Sequence, residues 1–487
     1  MDKEKIFGRE TEIKILDDLW KSSEAEFLAI YGRRRVGKTY LIREYFSRKR
    51  CIYFELTGQK DGTLKQQLEN FAQAFSKAFS NGKPLQVPST WKEALELLTK
   101  VIETTPKSKN IVIFFDELPW LATQKSGMLQ ALDYQWNSFW NRHPKLIFVV
   151  CGSAASWMLD NLINAKGGLH NRLTKAILLK PYNLKGVQQF LAYRKIRLNP
   201  KQVLDLYMVF GGIPHYLKQV EKGKSALQIV NKVCFQTDGL LYDEFDRLFR
   251  SLFSNAESSL SIIKAIAKCQ YGLSREALIK ATKISSGGTL NKRLKELESA
   301  GFIQSFIPYG NKAKDQYYRV IDEYCYFYLR WIEPFKQKGV AAGKEYWQTK
   351  GRTPAATTWS GYAFENICFK HVDQIRKALD LQAIACEIGS WRALPQGKQD
   401  SGAQIDLLFD REDGIVTLCE IKYTEKQFVL DKATAKNLQN KMNVFDQHMP
   451  SKKQNSFALI TTIGLKPNIW SEELIQNVVT LEDLLRF

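Results

Sequence analysis

The sequence predicts a multidomain α/β protein that opens on a parallel sheet. Three observations lead there. Short apolar runs (Phe27-Leu-Ala-Ile-Tyr31, Ile111-Val-Ile-Phe-Phe115 and Leu146-Ile-Phe-Val-Val-Cys151) alternate with helix-like stretches, as strands buried on both faces of a parallel sheet do. A glycine-bounded turn joins the first run directly to a helix-like segment. The chain has 487 residues, more than one core usually supports, so roughly two to four domains are expected.

The elements follow in order. Phe7-Gly-Arg-Glu10 is a turn that leads into an amphipathic helix with Ile13, Leu16 and Leu19 on one face. Arg9 in that turn reads either as part of a plain helix start or as a contact on the base side of a nucleotide. After the first strand come Gly32, Arg33, Arg34, Arg35, Val36, Gly37, Lys38, Thr39 and Tyr40. Two glycines four residues apart, then Lys and Thr at a helix start, make a phosphate loop. Its backbone N–H groups and the helix N-terminus would face phosphate oxygens. Lys38 would reach the β- and γ-phosphates, and Thr39 would hold Mg²⁺, so ATP with Mg²⁺ is the expected cofactor.

Cys51-Ile-Tyr-Phe-Glu-Leu56 is a further strand, residues 63–80 a helix, and Trp91 to Ile102 another, capped by Ser89 or Thr90. Asp116 and Glu117 end the next apolar strand, about 75 residues beyond the phosphate loop, where a metal-binding carboxylate and a base toward water belong. Ser153 ends the third buried strand. It reads as a γ-phosphate sensor or as the cap of a helix over 154–159. Arg172 follows Gly167-Gly-Leu-His-Asn171 and precedes a strand at 177–179. It is a candidate phosphate contact, in cis or from a neighbouring subunit, or a plain surface arginine.

Net charge is +20 and the pI about 9.4, which favours a polyanionic partner, with nucleic acid and DNA in first place. Hydrophobic content of 44% with 25% charged residues is ordinary for a globular protein. No apolar run has membrane-spanning length, and Met1-Asp-Lys-Glu-Lys-Ile6 has no signal-peptide core, so a cytoplasmic protein without a membrane partner is expected. The eight cysteines are scattered, without a C-x-x-C pair, and read as reduced thiols rather than zinc ligands.

Helices over 260–268, 274–282 and 289–300, followed by a hairpin over 301–321, predict a winged helix-turn-helix. Asn291, Lys292, Arg293 and Lys295 on its third helix are candidate nucleic-acid contacts. Residues 322–332 read as an aromatic helix. From Thr357 the character changes. A helix carries Glu365, a strand carries Asp406, and the next strand carries Glu420 and Lys422 two residues apart, hence on one face. An in-strand aspartate followed by Glu-x-Lys on a hairpin is the constellation of a metal-dependent nuclease. Asp406, Glu420 and Glu365 would hold Mg²⁺, and Lys422 would position or deprotonate water. The other reading is a Glu420–Lys422 ion pair on an exposed strand face. A strand at 457–461, a helix over 478–487 and a basic helix from 431 to 441 complete the expectation.

Several of these stretches resemble a known family. Phe-Gly-Arg-Glu at 7–10, the phosphate loop, Phe-Asp-Glu-Leu-Pro-Trp at 115–120, Cys-Gly-Ser at 151–153 and Gly211-Gly-Ile-Pro-His-Tyr-Leu217 resemble the archaeal-type ATPases among the AAA+-like STAND proteins. The last stretch resembles the start of that family's helical lid. Asp406, Glu420 and Lys422 resemble the PD-(D/E)XK nuclease superfamily. The resemblance implies a P-loop ATPase core at 1–185, a helical lid at 186–255, a winged helix at 256–335, a linker at 336–356 and a restriction-endonuclease-like α/β domain at 357–487. It implies an ATP-hydrolysing protein, possible as a homo-oligomer, whose ATPase controls a Mg²⁺-dependent DNA-processing domain. The alternative is a nucleotide-gated switch or DNA-binding regulator whose last domain does not cleave.

Overall fold

The computed structural model describes residues 6–164, 171–253, 255–337, 345–395 and 402–486. The chain divides into two compact units. One comprises residues 1–181 with 252–254 and 295–301, and the other residues 182–251, 255–294 and 302–487.

The first unit is built on a five-stranded sheet. Its elements are α1 (Glu10–Lys21), β1 (Glu26–Tyr31), α2 (Lys38–Phe46), β2 (Ile52–Thr57), α3 (Leu64–Phe79), α4 (Trp91–Thr104), β3 (Ile111–Asp116), α5 (Met128–Ser138), β4 (Leu146–Gly152) and β5 (Lys175–Leu178). Strand order is β2-β3-β4-β1-β5, and every pairing is parallel. β3 and β4 are buried at every position, which explains their unbroken apolar sequence. Phe27, Phe115, Trp136 and Trp140 surround Phe148 with ring centroids 4.8–6.2 Å apart. Thr90 caps α4 by accepting from Glu93 N. The predicted strands and helices of this unit are present, with ends shifted by a residue or two.

The second unit carries a helical part, α6 (Leu184–Tyr193) and α7 (Pro200–Phe210). Then follow α8 (Ala256–Ala267), β6 (Leu273–Ser274), α9 (Arg275–Thr282), α10 (Gly288–Ser299), β7 (Ile303–Phe306) and β8 (Tyr317–Val320). The last three strands form a small antiparallel sheet, β6-β8-β7. Arg275 Nη2 donates to Asn291 Oδ1 at 2.6 Å, so Asn291 is engaged, while Lys292 is exposed. Lys295, within the first unit, pairs with Asp160 at 2.6 Å.

The C-terminal part holds α11 (Pro354–Lys370), β9 (Cys386–Ala393), β10 (Ala403–Arg411), β11 (Ile415–Lys422), α12 (Lys432–His448), β12 (Gln454–Thr461), β13 (Ile475–Thr480) and α13 (Leu481–Arg486). Its mixed sheet runs β13-β12-β11-β10-β9, antiparallel from β9 to β11 and parallel from β11 to β13. The helix expected over 478–487 is a strand to Thr480 before it turns helical at Leu481. Val478 to Thr480 alternate as a sheet edge and pair with β12, a partner that local propensity does not reveal.

Within the helical part a Cβ on Gly212 would lie 1.8 Å from Tyr182 O, so only glycine fits. A second contact ties this part to α11. His371, at the end of α11, accepts from Leu184 N at 3.0 Å through Nε2, while its Nδ1 lies 2.8 Å from Ile367 O. Those two partners require the neutral ring with its proton on Nδ1. Burial lowers the His371 pKa from 6.5 to about 4. Its stabilising contribution is therefore complete above about pH 6.5 and is lost as pH falls through that value toward about 4. The urea midpoint should drop between about pH 7 and about pH 4.5, and His371→Gln should flatten that drop while costing about 1–3 kcal/mol at neutral pH. An equally steep drop in the variant would show that another group governs acid unfolding.

Candidate nucleotide site and carboxylate cluster

The phosphate loop leaves β1 at the carboxyl edge of the parallel sheet, where β4 and β3 also end, and such an edge is where α/β sheets bind ligands. Gly32 has φ +135°, and a Cβ there would sit 2.6 Å from Leu179 O, so the loop can pass β5 only as glycine. Gly37 occupies the N-cap of α2. Lys38 is buried and its Nζ donates to Gly32 O at 2.9 Å and Arg33 O at 3.1 Å, which curls the ammonium over the loop. Thr39 Oγ1 donates to Asp116 Oδ2 at 2.9 Å. A hydroxyl and a carboxylate so placed at a helix N-terminus are hard-oxygen ligands suited to Mg²⁺. Arg33 and Val36 are buried, Arg34 and Arg35 partly so, and Tyr40 is exposed.

Glu117 adopts a left-handed backbone, φ 52°, which is strained for a non-glycine residue. Its Oε2 accepts from Ser153 N at 3.1 Å and from Ser153 Oγ at 2.9 Å. Ser153 therefore binds the glutamate rather than capping the helix after it, whose N-cap is Ala154. Arg9 is buried, donating from Nη1 to Lys180 O at 2.8 Å and from Nη2 to Val36 O at 3.3 Å. It braces the back of the phosphate loop against the chain after β5. Arg172 is exposed in the turn before β5. Residues 167–170 of the glycine-rich stretch before it lie outside the described residues.

The second cluster lies on the mixed sheet. β10 carries one extra residue against β9, since Ile405 faces Trp391 while Leu408 faces Gly389. The bulge falls at Asp406 and Leu407, and bulges re-aim side chains beside functional sites. Asp406 Oδ2 accepts from Ile421 N at 3.0 Å and Oδ1 from Gln404 Nε2 at 3.2 Å. Glu420 lies one step beyond the Leu407–Cys419 pair of the β10–β11 ladder. Both carboxylates are buried, at 8% and 4% exposure. Glu420 pairs with Lys422 at 2.7 Å and with Lys441, from α12, at 2.6 Å. The Glu420–Lys422 contact expected of an exposed strand face is present, with a buried carboxylate and a second lysine.

Glu365, on α11, completes the group electrostatically. Burial, and next the charge of Asp406, raise its pKa well above the carboxylate range. Burial and then Glu420 raise that of Asp406, against Lys441. Desolvation lowers the Lys422 ammonium, but Glu420 outweighs it and leaves the pKa above its ordinary value. Buried like charges that resist ionisation are a site that a cation would relieve. Three hard carboxylates match Mg²⁺ in donor chemistry. Among the described residues, however, no three His, Cys, Asp or Glu side chains stand close enough together to share one ion. The Lys422 and Lys441 ammonium groups occupy both oxygens of Glu420.

Sequence reasoning missed Lys441 as a member of the cluster, although it places a basic helix beside it. It also missed Gln404, and the Lys201–Asp205 pair of α7, at 2.7 Å, which meets Tyr423 next to Lys422. The Lys201 Nζ lies 5.1 Å from the Tyr423 ring centroid. Nothing local in the sequence joins residues so far apart.

The first site is that of a nucleotide-binding P-loop ATPase, in which loop, lysine, threonine and strand-end carboxylate stand in mutual reach. Residues 6–220 match the family described as an ATPase domain predominantly from Archaea, so the chain carries an ATPase domain of the archaeal type. An uncharacterized protein of Methanocaldococcus jannaschii, MJECL04, is 24% identical over 421 residues, 86% of this chain and 87% of its own. That likeness is longer than the ATPase match, so it extends beyond the ATPase domain. The uncharacterized ATP-binding protein MJ0423 of the same organism is 40% identical over 43 residues, 9% of this chain and 73% of its own. Among solved structures, the Walker-type ATPase paby2304 of Pyrococcus abyssi aligns over 67% of this chain and 96% of its own, at 18% identity and a TM-score of 0.45. Among the described residues, no helix is long and apolar enough to cross a membrane.

Lys38→Ala should abolish ATP binding in a titration with a fluorescent ATP analogue. Ser153→Ala should keep binding and slow turnover about 10- to 100-fold, the worth of a hydrogen bond to a charged group. Equal turnover in wild type and Ser153→Ala would remove Ser153 from the positioning of Glu117.

Proposed function

We propose that the chain hydrolyses ATP at the phosphate loop and that its nucleotide state controls a Mg²⁺-dependent, DNA-cleaving centre at Glu365, Asp406 and Glu420. The buried carboxylate cluster at the Asp406 bulge carries this reading. Burying like charges on a sheet is costly and serves no packing purpose that apolar residues would not serve better. At the first site Thr39 and Asp116 would hold Mg²⁺, Lys38 would neutralise phosphate, and Glu117, held by Ser153, would orient the attacking water. Arg9 and Arg172 are the candidate contacts on the base and phosphate sides.

At the second site Asp406 and Glu420 would supply the ligands, with Glu365 joining them only by moving closer, and the ion would supply a polarised phosphate and a water of lowered pKa. Lys422 stays protonated beside Glu420, so its role is to orient water and offset developing charge rather than to act as a base. Helices α8 to α10 with the β6-β8-β7 sheet support the winged-helix reading. The Lys201–Asp205–Tyr423 contact supports coupling, because α7 belongs to the expected lid and Tyr423 follows Lys422. The strong positive charge supports a nucleic-acid partner.

A second reading has its own support. Glu420 is fully engaged by two lysines, as suits a nucleotide-gated switch whose last domain binds without cutting. Wild type and Asp406→Ala, incubated with labelled single- and double-stranded DNA, Mg²⁺ or Mn²⁺, and with or without ATP, separate the two. Product formed by the wild type, lost in Asp406→Ala and altered by ATP is the expected result. No product under any condition, with ATP binding intact, would establish the switch instead.

A further inference from the structure

A cleft runs within the second unit toward the carboxylate cluster. Its outer part, about 700 Å³, lies between α8, the aromatic segment after Asp322 and α11. Lys264, Lys268 and Arg330 line it against a single carboxylate, Glu333. Lys264 is paired with Glu333 at 2.7 Å, whereas Lys268 and Arg330 are exposed. Tyr326 and Tyr362, both half-buried, supply ring surface in the same cleft.

Tyr362 and Gln270 also line a second hollow of about 330 Å³. Its other walls include Glu365, Arg392 and Gln404. Gln404 is the residue that donates to Asp406, so the two hollows lead from a basic rim to the carboxylates. Close by, Arg319 of β8 is buried at 9% exposure, its guanidinium 3.6 Å from the Phe369 ring centroid and 4.3 Å from that of Phe306. Phe369 is one helical turn beyond Glu365. Arg319 makes no salt bridge among the described residues, and a buried cation lacking a counter-charge is costly.

We infer that this cleft binds single-stranded nucleic acid, with its backbone along Lys268, Arg330 and Arg392 and its bases against Tyr326 and Tyr362. A basic track interleaved with aromatic rings is how single strands are held without sequence preference. Each hollow has the size of a small-ligand pocket, which suits successive nucleotides of one strand better than a duplex. The direction of the strand, toward Glu365 and Asp406, rests on the proposed nuclease centre, but occupancy of the cleft does not.

The test is fluorescence anisotropy of the full chain with a fluorescein-labelled oligo-dT of about 15 nucleotides, with Ca²⁺ present to limit cleavage. The double variant Lys268→Glu/Arg330→Glu should bind at least about tenfold more weakly, and its log-affinity against log-salt slope should be shallower by about 1.4, two phosphate contacts' worth. Circular dichroism and ATP binding should be unchanged, with Lys268→Ala/Arg330→Ala as the milder pair if the reversal disturbs folding. Unchanged affinity in both pairs would overturn the inference. So would an equal loss in Lys292→Glu on α10, or a duplex of the same length that binds as tightly and loses as much. Binding lost in the cleft variants of a protein that never cleaves would uphold the cleft and fail the nuclease. Cleavage by the wild type with normal binding in the cleft variants would do the reverse.

Discussion

Asp406 and Glu420 stand side by side on adjoining strands in an almost dry place, and much of the C-terminal unit is arranged around that fact. Two neighbouring carboxylates repel, and burial strengthens the repulsion. The Ile421 N–H holds one oxygen of Asp406, and Lys422 and Lys441 flank Glu420. The strand itself is deformed. Ser390 sits opposite the extra residue of β10, and its carbonyl accepts from Tyr309 N at 2.8 Å. Tyr309 lies in the turn between β7 and β8, and its hydroxyl donates to Asp410 at 2.8 Å. The tip of the small hairpin is therefore a brace for the bulge, and it is not presented as a free wing.

The nucleotide site reaches its geometry by a different route. There the polar groups stand at the end of a sheet whose interior is wholly apolar, and the chain turns sharply there, with a positive φ at Gly32 and at Glu117. Charge is buried at this site as well, at Lys38 and Asp116. Thr39 and Asp116, and separately Glu117 and Ser153, satisfy one another across the gap between loop and strand ends.

The nucleotide site was readable because its chemistry is local. Spacing alone sets Gly32, Gly37, Lys38 and Thr39, and unbroken apolar runs mark β3 and β4, so the carboxylates at their ends are easy to find. The carboxylate cluster was half readable. Glu420 and Lys422 share a face by the two-residue period of a strand, and Asp406 lies within an apolar run. What sequence does not reveal is pairing over distance: the bulge that aims Asp406, the partner strand that turns Val478 to Thr480 extended, and the approach of Lys441 and Tyr423. Each depends on register between segments, and a shift of one residue would reverse every face. The Ser153–Glu117 bond was hidden for another reason, since a serine before a helix ordinarily caps it.

Helices α6 and α7 follow the ATPase sheet in the chain and fall within the stretch that matches the ATPase family, yet they are physically part of the C-terminal unit. Tyr207 rests edge-on to His371 at 5.6 Å, Leu184 donates to the same ring, and Lys201 and Asp205 meet Tyr423. Inheritance and mechanics thus draw the border in different places. A polypeptide ended after the family match would carry bare the face of α6 and α7 that α11 and α13 normally cover, while the remainder would lose the partners of Tyr423, which follows the strand bearing Glu420. The helices that the family match assigns to the ATPase are thus held by side chains it does not include, and α7 meets the chain one residue beyond the strand of Glu420.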